Sequence, residues 1–183
     1  DLLAISKIML ESENFHNYIS PSATIEENVV IKGKVYIGDN CQIGANNVLR
    51  GPVNLENNVK TGAFFEIKNS VVGTGTHFHS GYIGDSVIGK NCRFGADFIV
   101  ANRRLDRENI KSIVKGKKID TGLTCFGTVI GDNTSFGIHS GTMPGVLIGP
   151  GCIIGPGVLV FENFEDNSTF FTEFKGIKNE KKK

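Results

Sequence analysis

A stride of six runs through most of this chain and limits what it can fold into more than any other feature. Aliphatic residues stand at Ile25, Ile31, Ile37, Ile43, Leu49 and Leu55, then at Ile67, with Thr61 alone breaking the step. Two places before each comes Ala23, Val29, Val35, Cys41, Asn47, Val53 or Phe65. The stride resumes at Ile130, Phe136, Thr142, Ile148, Ile154 and Val160, preceded by Thr128, Thr134, Ser140, Val146, Cys152 and Val158. Such a period predicts a parallel β-helix in which each hexapeptide is one short strand and one corner, three to a triangular turn. The aliphatic side chain points into the prism and the residue before it, usually small, lets the next turn close. Gly, Asn, Asp and Pro-Gly after the inward position supply the positive φ and side-chain-to-backbone bonding of tight corners.

Between Ile67 and Phe94 the spacing slips to five at some corners, giving Ile67, Val72, Phe78, Ile83, Ile88 and Phe94. The register survives, since Ser70, Thr76, Gly81, Ser86 and Cys92 still precede by two. The stretch from Thr61 to Asn102 also carries most of the groups able to do chemistry, including Glu66, Lys68, His77, His79 and Tyr82.

The pattern divides the chain into residues 1–22, a short apolar-spaced helix and linker expected to follow an N-terminal nucleotidyltransferase domain; residues 23–162, the β-helix; and residues 163–183, a cap with Phe164, Phe170, Phe171 and Phe174 ending in a Lys-rich tail. Within the coil, residues 103–122 break the repeat as a basic excursion holding Arg103, Arg104, Arg107, Lys111, Lys115, Lys117 and Lys118. An excursion this long is expected to be functional, and its guanidinium and ammonium groups suit phosphates. The net charge of +1 gives no global field for nucleic acid or a membrane surface, and the apolar runs are too short to span a bilayer. Cys41, Cys92, Cys125 and Cys152 form no C-x-x-C pair, so neither a zinc knuckle nor a disulfide framework is indicated, and a reduced, cytoplasmic state is expected. Three of them, Cys41, Cys92 and Cys152, fall in the small core slot.

His77 and His79 share one face of a strand by the two-residue alternation. Two histidines without a third ligand make a poor zinc site, so no metal is expected; imidazole titrating near neutrality suits a general base, against the plainer reading of a surface histidine with no task.

On Val48-Leu49-Arg50, Phe65-Glu66-Ile67-Lys68, His79-Ser80-Gly81-Tyr82-Ile83-Gly84-Asp85, Phe94-Gly95-Ala96, Ala101-Asn102-Arg103-Arg104, Lys115-Gly116-Lys117-Lys118 and Met143-Pro144-Gly145-Val146, the chain resembles the hexapeptide-repeat acyltransferases. The likeness is strongest to the acetyltransferase half of bifunctional sugar-1-phosphate nucleotidylyltransferases, archaeal branch included. The resemblance implies an all-β, left-handed parallel β-helix with a short N-terminal helix and a protruding basic loop. It implies acetyl transfer from acetyl-CoA to the amine of glucosamine-1-phosphate or galactosamine-1-phosphate, in UDP-N-acetylhexosamine synthesis. His79 would be the base and Glu66 a supporting carboxylate, with Arg50, Lys68, Tyr82, Arg93 and Lys118 toward the amino-sugar phosphate. Ala96, Asn102, Arg103, Arg104, Ile138 and Pro156 match positions toward the coenzyme, over which the basic loop would fold. The family also implies a homotrimer with sites shared between subunits.

Some positions depart from the bacterial members of that family. Arg93 replaces an asparagine, Arg103 an aromatic or aliphatic residue, and Ile138 and Pro156 replace small residues. The rival reading is a non-catalytic β-helix that trimerises or regulates a nucleotidyltransferase. A β-helical carbonic anhydrase would need three converging histidines, two of them five apart, and His77, His79 and His139 lack that spacing.

Overall fold

The computed structural model describes residues 2–173 and 175–176 of the chain, and it is the left-handed parallel β-helix that the stride predicts. Inward side chains stack in three columns. Ile25, Ile43, Thr61, Phe78, Phe94, Phe136, Ile154 and Phe170 make the first. Ile31, Leu49, Ile67, Ile83, Val100, Thr142 and Val160 make the second. Ile19, Ile37, Leu55, Val72, Ile88, Ile130 and Ile148 make the third. From Val35 to Val160 these columns close into one dry core, with Cys41, Cys92 and Cys152 fully buried in the small slots.

Two polar residues of the pattern, Asn47 and Thr61, answer each other. Asn47 Nδ2 donates to Thr61 Oγ1 at 2.5 Å inside the coil, and Asn47 Oδ1 accepts from the Phe65 amide at 2.6 Å. Where the turns shorten, aromatic rings fill the prism: Phe65, Phe78 and Phe94 stack with centroids 4.7 and 4.6 Å apart. Gly81 lies between Phe65 and Phe98 in the small slot, where a Cβ would come within 2.0 Å of the Phe98 carbonyl oxygen. Large, absent and large side chains therefore interleave, as close packing demands.

At the ends the coil is longer than the stride suggests. Tyr18–Ile19 already pairs with Tyr36 and Ile37, and beyond Val160 Phe170 pairs with Ile154 while Phe164 bridges to Ile148. The expected Phe-rich cap is thus the next, incomplete turn, whose rings at 5.2 Å close the core. Phe174 and the Lys-rich tail lie outside the described residues.

The third column's outer surface is dressed by two additions. A helix over Leu2–Leu10 lies on the strands Val48–Leu55 and Phe65–Val72 through Ser6 and Leu10. The basic excursion folds as an antiparallel hairpin of Lys111–Val114 and Lys117–Asp120, turning at Lys115 and Gly116, both with positive φ, as two-residue hairpin loops require. Buried Ile110 and the bonds Ser112 Oγ to Gly145 O and Asn163 Nδ2 to Ile113 O, each 2.7 Å, seat it on the coil. No described helix is long and apolar enough to cross a membrane.

Candidate active site

The groups singled out in the sequence gather along the outward face of the second column and at its two corners. On that face Glu66 stands beside Tyr82 and Lys68 beside Gly84, with Arg50 one turn above Lys68. Arg50 pairs with Glu66 through Nε and Nη2. The Tyr82 side chain runs forward along its own strand over Gly84: a Cβ there would meet Tyr82 Oη at 2.2 Å and Asn102 Nδ2 at 2.8 Å. Glycine at 84 is what leaves room for the phenol. Burial is the first cause that raises the Tyr82 phenol above its ordinary pKa; Lys68 opposes it, and Asp85 and Glu66 add to it.

At the corner that ends this face sits Asp85, a residue the motif contains but to which sequence reasoning gave no role. It is 4% exposed and receives Lys68 Nζ at 2.9 Å, Asn69 Nδ2 at 2.6 Å and the Asn102 amide. Its carbonyl oxygen accepts from Gly127 at 2.9 Å, and Asn102 O accepts from Phe126 at 3.0 Å, so this corner ties both ends of the basic excursion together. The signal available in the sequence was an acid in a corner slot one turn of the coil before the break in the repeat. For Lys68, burial works to lower the pKa but the bond and charge of Asp85 outweigh it, so the ammonium is held above its ordinary value. An open cleft of about 590 Å³ lies against this corner, lined by Asn69, Asp85, Cys125 and Lys7 among others.

His79 occupies the opposite corner, between Phe78 of the first column and Gly81 of the second, and is exposed. By the register of Phe78, Phe94, Phe136 and Ile154, Gly95, Gly137 and Gly155 follow below His79, and Ala96, Ile138 and Pro156 follow one turn after another below its neighbour Ser80, tied by His139 N to Ala96 O and Gly157 N to Ile138 O, both 2.8 Å. Beside this line a groove of about 230 Å³ runs over Gly141 between Ile99 and Leu159. Asp97 completes the corner, accepting from Ser80 Oγ at 3.1 Å and facing His139 Nδ1 at 3.3 Å.

Four sequence candidates stand apart from this face within the chain. Arg93 is on the outward side of the first column, its Nη1 donating to Gly75 O at 2.7 Å and Cys92 O at 3.0 Å. Lys118 lies on the hairpin opposite Ile113, over the third column. Arg104 is engaged by Asp106, whose carboxyl that hydrogen bond holds down at about 2, while Arg103 is exposed at the start of the excursion. Among the described residues no group of three or more His, Cys, Asp or Glu side chains is placed to hold a metal ion.

A family model described as the GMPPB C-terminal domain matches residues 14–118, and one described as bacterial transferase hexapeptide, six repeats, matches residues 127–162. The protein named bifunctional protein GlmU from Methanocaldococcus jannaschii is 37% identical over 187 residues, covering 92% of this chain and 45% of the relative. The bifunctional sugar-1-phosphate nucleotidylyltransferase/acetyltransferase of Sulfurisphaera tokodaii is 41% identical over 144 residues, covering 68% of this chain and 36% of that protein. The chain therefore spans less than half the length of these relatives. Among solved structures, that of the polysialic acid O-acetyltransferase OatWY matches with a TM-score of 0.53 at 19% identity over 86% of this chain and 87% of its own, a likeness of fold.

Proposed function

Since the chain belongs to the GMPPB C-terminal domain family, whose model matches residues 14–118, and continues in hexapeptide repeats, we propose that it is an N-acetyltransferase. It moves the acetyl group of acetyl-CoA to the amine of an amino-sugar 1-phosphate, glucosamine-1-phosphate or galactosamine-1-phosphate, toward UDP-N-acetylhexosamine. The observation that carries this reading is the second column's outward face. Arg50, Glu66, Lys68 and Tyr82 form one polar band there, with exposed His79 at its edge and the Ala96, Ile138 and Pro156 line descending from that edge. The S. tokodaii relative, a bifunctional sugar-1-phosphate nucleotidylyltransferase/acetyltransferase, supports the choice of reaction.

Lys68 and Arg50 present cationic donors to the sugar phosphate, and Tyr82 a hydroxyl to the ring. Lys68 keeps its charge because Asp85 takes only part of its donor capacity and raises its pKa. His79 removes the proton from the amine as nitrogen attacks the thioester carbonyl, Glu66 supports the polar band, and backbone N–H groups near Ala96 hold the developing oxyanion. The groove over Gly141 takes the pantetheine arm, and Asn102, Arg103 and Arg104 mark the coenzyme side of the basic excursion. Binding both substrates along one face replaces a bimolecular encounter, which supplies much of the rate.

A homotrimer belongs to the same reading. Below the polar band the same face turns apolar, with Ile99, Leu159 and Phe161 at 53%, 49% and 72% exposure, a surface a second copy would cover. Four unpaired cysteines suit a reducing cytoplasm. Nucleotidyl transfer, named for the S. tokodaii relative, would reside in residues other than these. The assembly-module reading shares the apolar face but has no use for the polar band.

The test is thiol release from acetyl-CoA with either sugar phosphate, for the chain and its His79→Ala variant, with the mass measured in solution. Sugar-dependent release that falls roughly 10²- to 10⁴-fold in the variant is the expected result. Release untouched by the substitution removes His79 from its role; no release from a folded trimer favours the assembly module.

A further inference from the structure

A second cationic feature lies on the outward side of the first column, away from the polar band. Lys60, His77 and Arg93 are in direct register on three successive turns, each the Cα partner of the next. Adjacent strands lie about 4.8 Å apart, so the three side chains rise from a line roughly 10 Å long. Gln42 precedes them and Ser135 follows, and neither carries charge. Among the described residues none of Lys60, His77 and Arg93 has a carboxylate partner. The second column treats its bases differently: Arg50 faces Glu66, and Lys68 faces Asp85. A merely solvated surface would mix the signs in the same way, since like charges directly opposite on neighbouring strands are destabilising.

We propose that Lys60, His77 and Arg93 form a ladder that binds a diphosphate-bearing ligand. Lys60 and Arg93 stand two turns apart, and a diphosphate offers each of them a phosphate of its own. The Arg93 guanidinium is steadied by Nη1 on Gly75 O and Cys92 O, which leaves its other N–H donors for an anion. Burial, then the charges of Arg93 and Lys60, holds the His77 imidazole below its ordinary pKa, which favours the neutral form of the middle rung. A bound diphosphate offsets both cations and draws a proton onto His77. The inference goes beyond acetyl transfer and does not depend on His79. A diphosphate could come from coenzyme A or from a nucleotide such as UDP, and the two are separable.

The experiment follows the four histidine Cε1–H signals by NMR against pH, with His77 assigned from a His77→Asn variant. Spectra are recorded with and without pyrophosphate at constant ionic strength, then with coenzyme A and with UDP. The expected result is a selective upward shift of the His77 titration by roughly one unit with pyrophosphate and with at least one nucleotide, lost in Lys60→Gln/Arg93→Gln. A response to coenzyme A identifies the coenzyme as the source, and one to UDP the nucleotide. An unmoved His77, an equal movement of all four histidines, a shift retained in the double variant, or a response to pyrophosphate alone overturns the proposal. Arg93→Gln by itself, which weakens the shift without removing the other outer rung, serves where the double variant does not fold.

Discussion

Lys68 Nζ meets Asp85 Oδ2 at 2.9 Å across the corner where the polar band ends, with Asp85 4% and Lys68 28% exposed. Because Asp85 also receives Asn69 and Asn102, and its carbonyl receives Gly127, one residue joins the candidate phosphate ligand to the root of the basic excursion.

Asp85→Asn keeps the shape of this corner but turns an acceptor toward three donors into an amide. Leaving buried donors unmatched costs about 1–3 kcal/mol, read as a lower urea midpoint. The amides of Phe126 and Gly127 should exchange faster as the root of the excursion loosens. An unchanged midpoint together with unchanged exchange would show that Asp85 anchors nothing. Lys68→Met, which leaves Asp85 its two side-chain amide donors, should cost less.

Gly84→Ala places a methyl group where Tyr82 Oη and the Asn102 amide now stand. Both are side-chain ends that can move, so stability should change little. The displaced phenol should lower kcat/KM for the sugar phosphate by about tenfold or more, a loss of about 1.4 kcal/mol in transition-state binding. Full activity in the variant would separate Tyr82 from the reaction.

His77 predicts an acid-side weakness. Its folded pKa lies below the unfolded value, because of burial and then of Arg93 and Lys60. Below about pH 6.5 the unfolded chain therefore binds a proton that the folded one refuses, and stability falls as pH drops through that window toward the folded value. Thermal midpoints from pH 8 to pH 5 should fall less steeply for His77→Asn than for the parent. Identical slopes would contradict this.

Thr61→Val is nearly isosteric and restores the apolar stride, yet it should destabilise. It strips the buried Asn47 amide of its acceptor, at a cost of about 1–3 kcal/mol. A rise in the urea midpoint would mean that the stride matters more than the bond.

The architecture was legible because a six-residue stride admits one way of hiding its aliphatic positions. Each inward residue that the stride named from Ile37 to Val160 is buried, the five-residue corners included, since a shortened corner changes the turn without turning the next strand over. Where prediction stopped short, side chains outside the repeat decided. Tyr18 and Phe170 extend the coil because backbone pairing needs no hexapeptide match. The excursion, expected as a flap, carries a hairpin because Ile110 and Ser112 find burial and a carbonyl on the third column.

The candidate site divides in the same way. Sequence alone determined which residues share a strand and which turns follow one another, hence the pairing of Glu66 with Tyr82 and the line of Ala96, Ile138 and Pro156 below Ser80 at the His79 corner, because a coil with a fixed period converts sequence distance into spatial adjacency. Tertiary structure alone decided where the long side chains go. Arg93 turns back to Gly75, Tyr82 lies along its strand over Gly84, and Asp85 becomes the hub of its corner. Those outcomes depend on rotamers, burial and the nearest unsatisfied donor or acceptor, and a period fixes none of them.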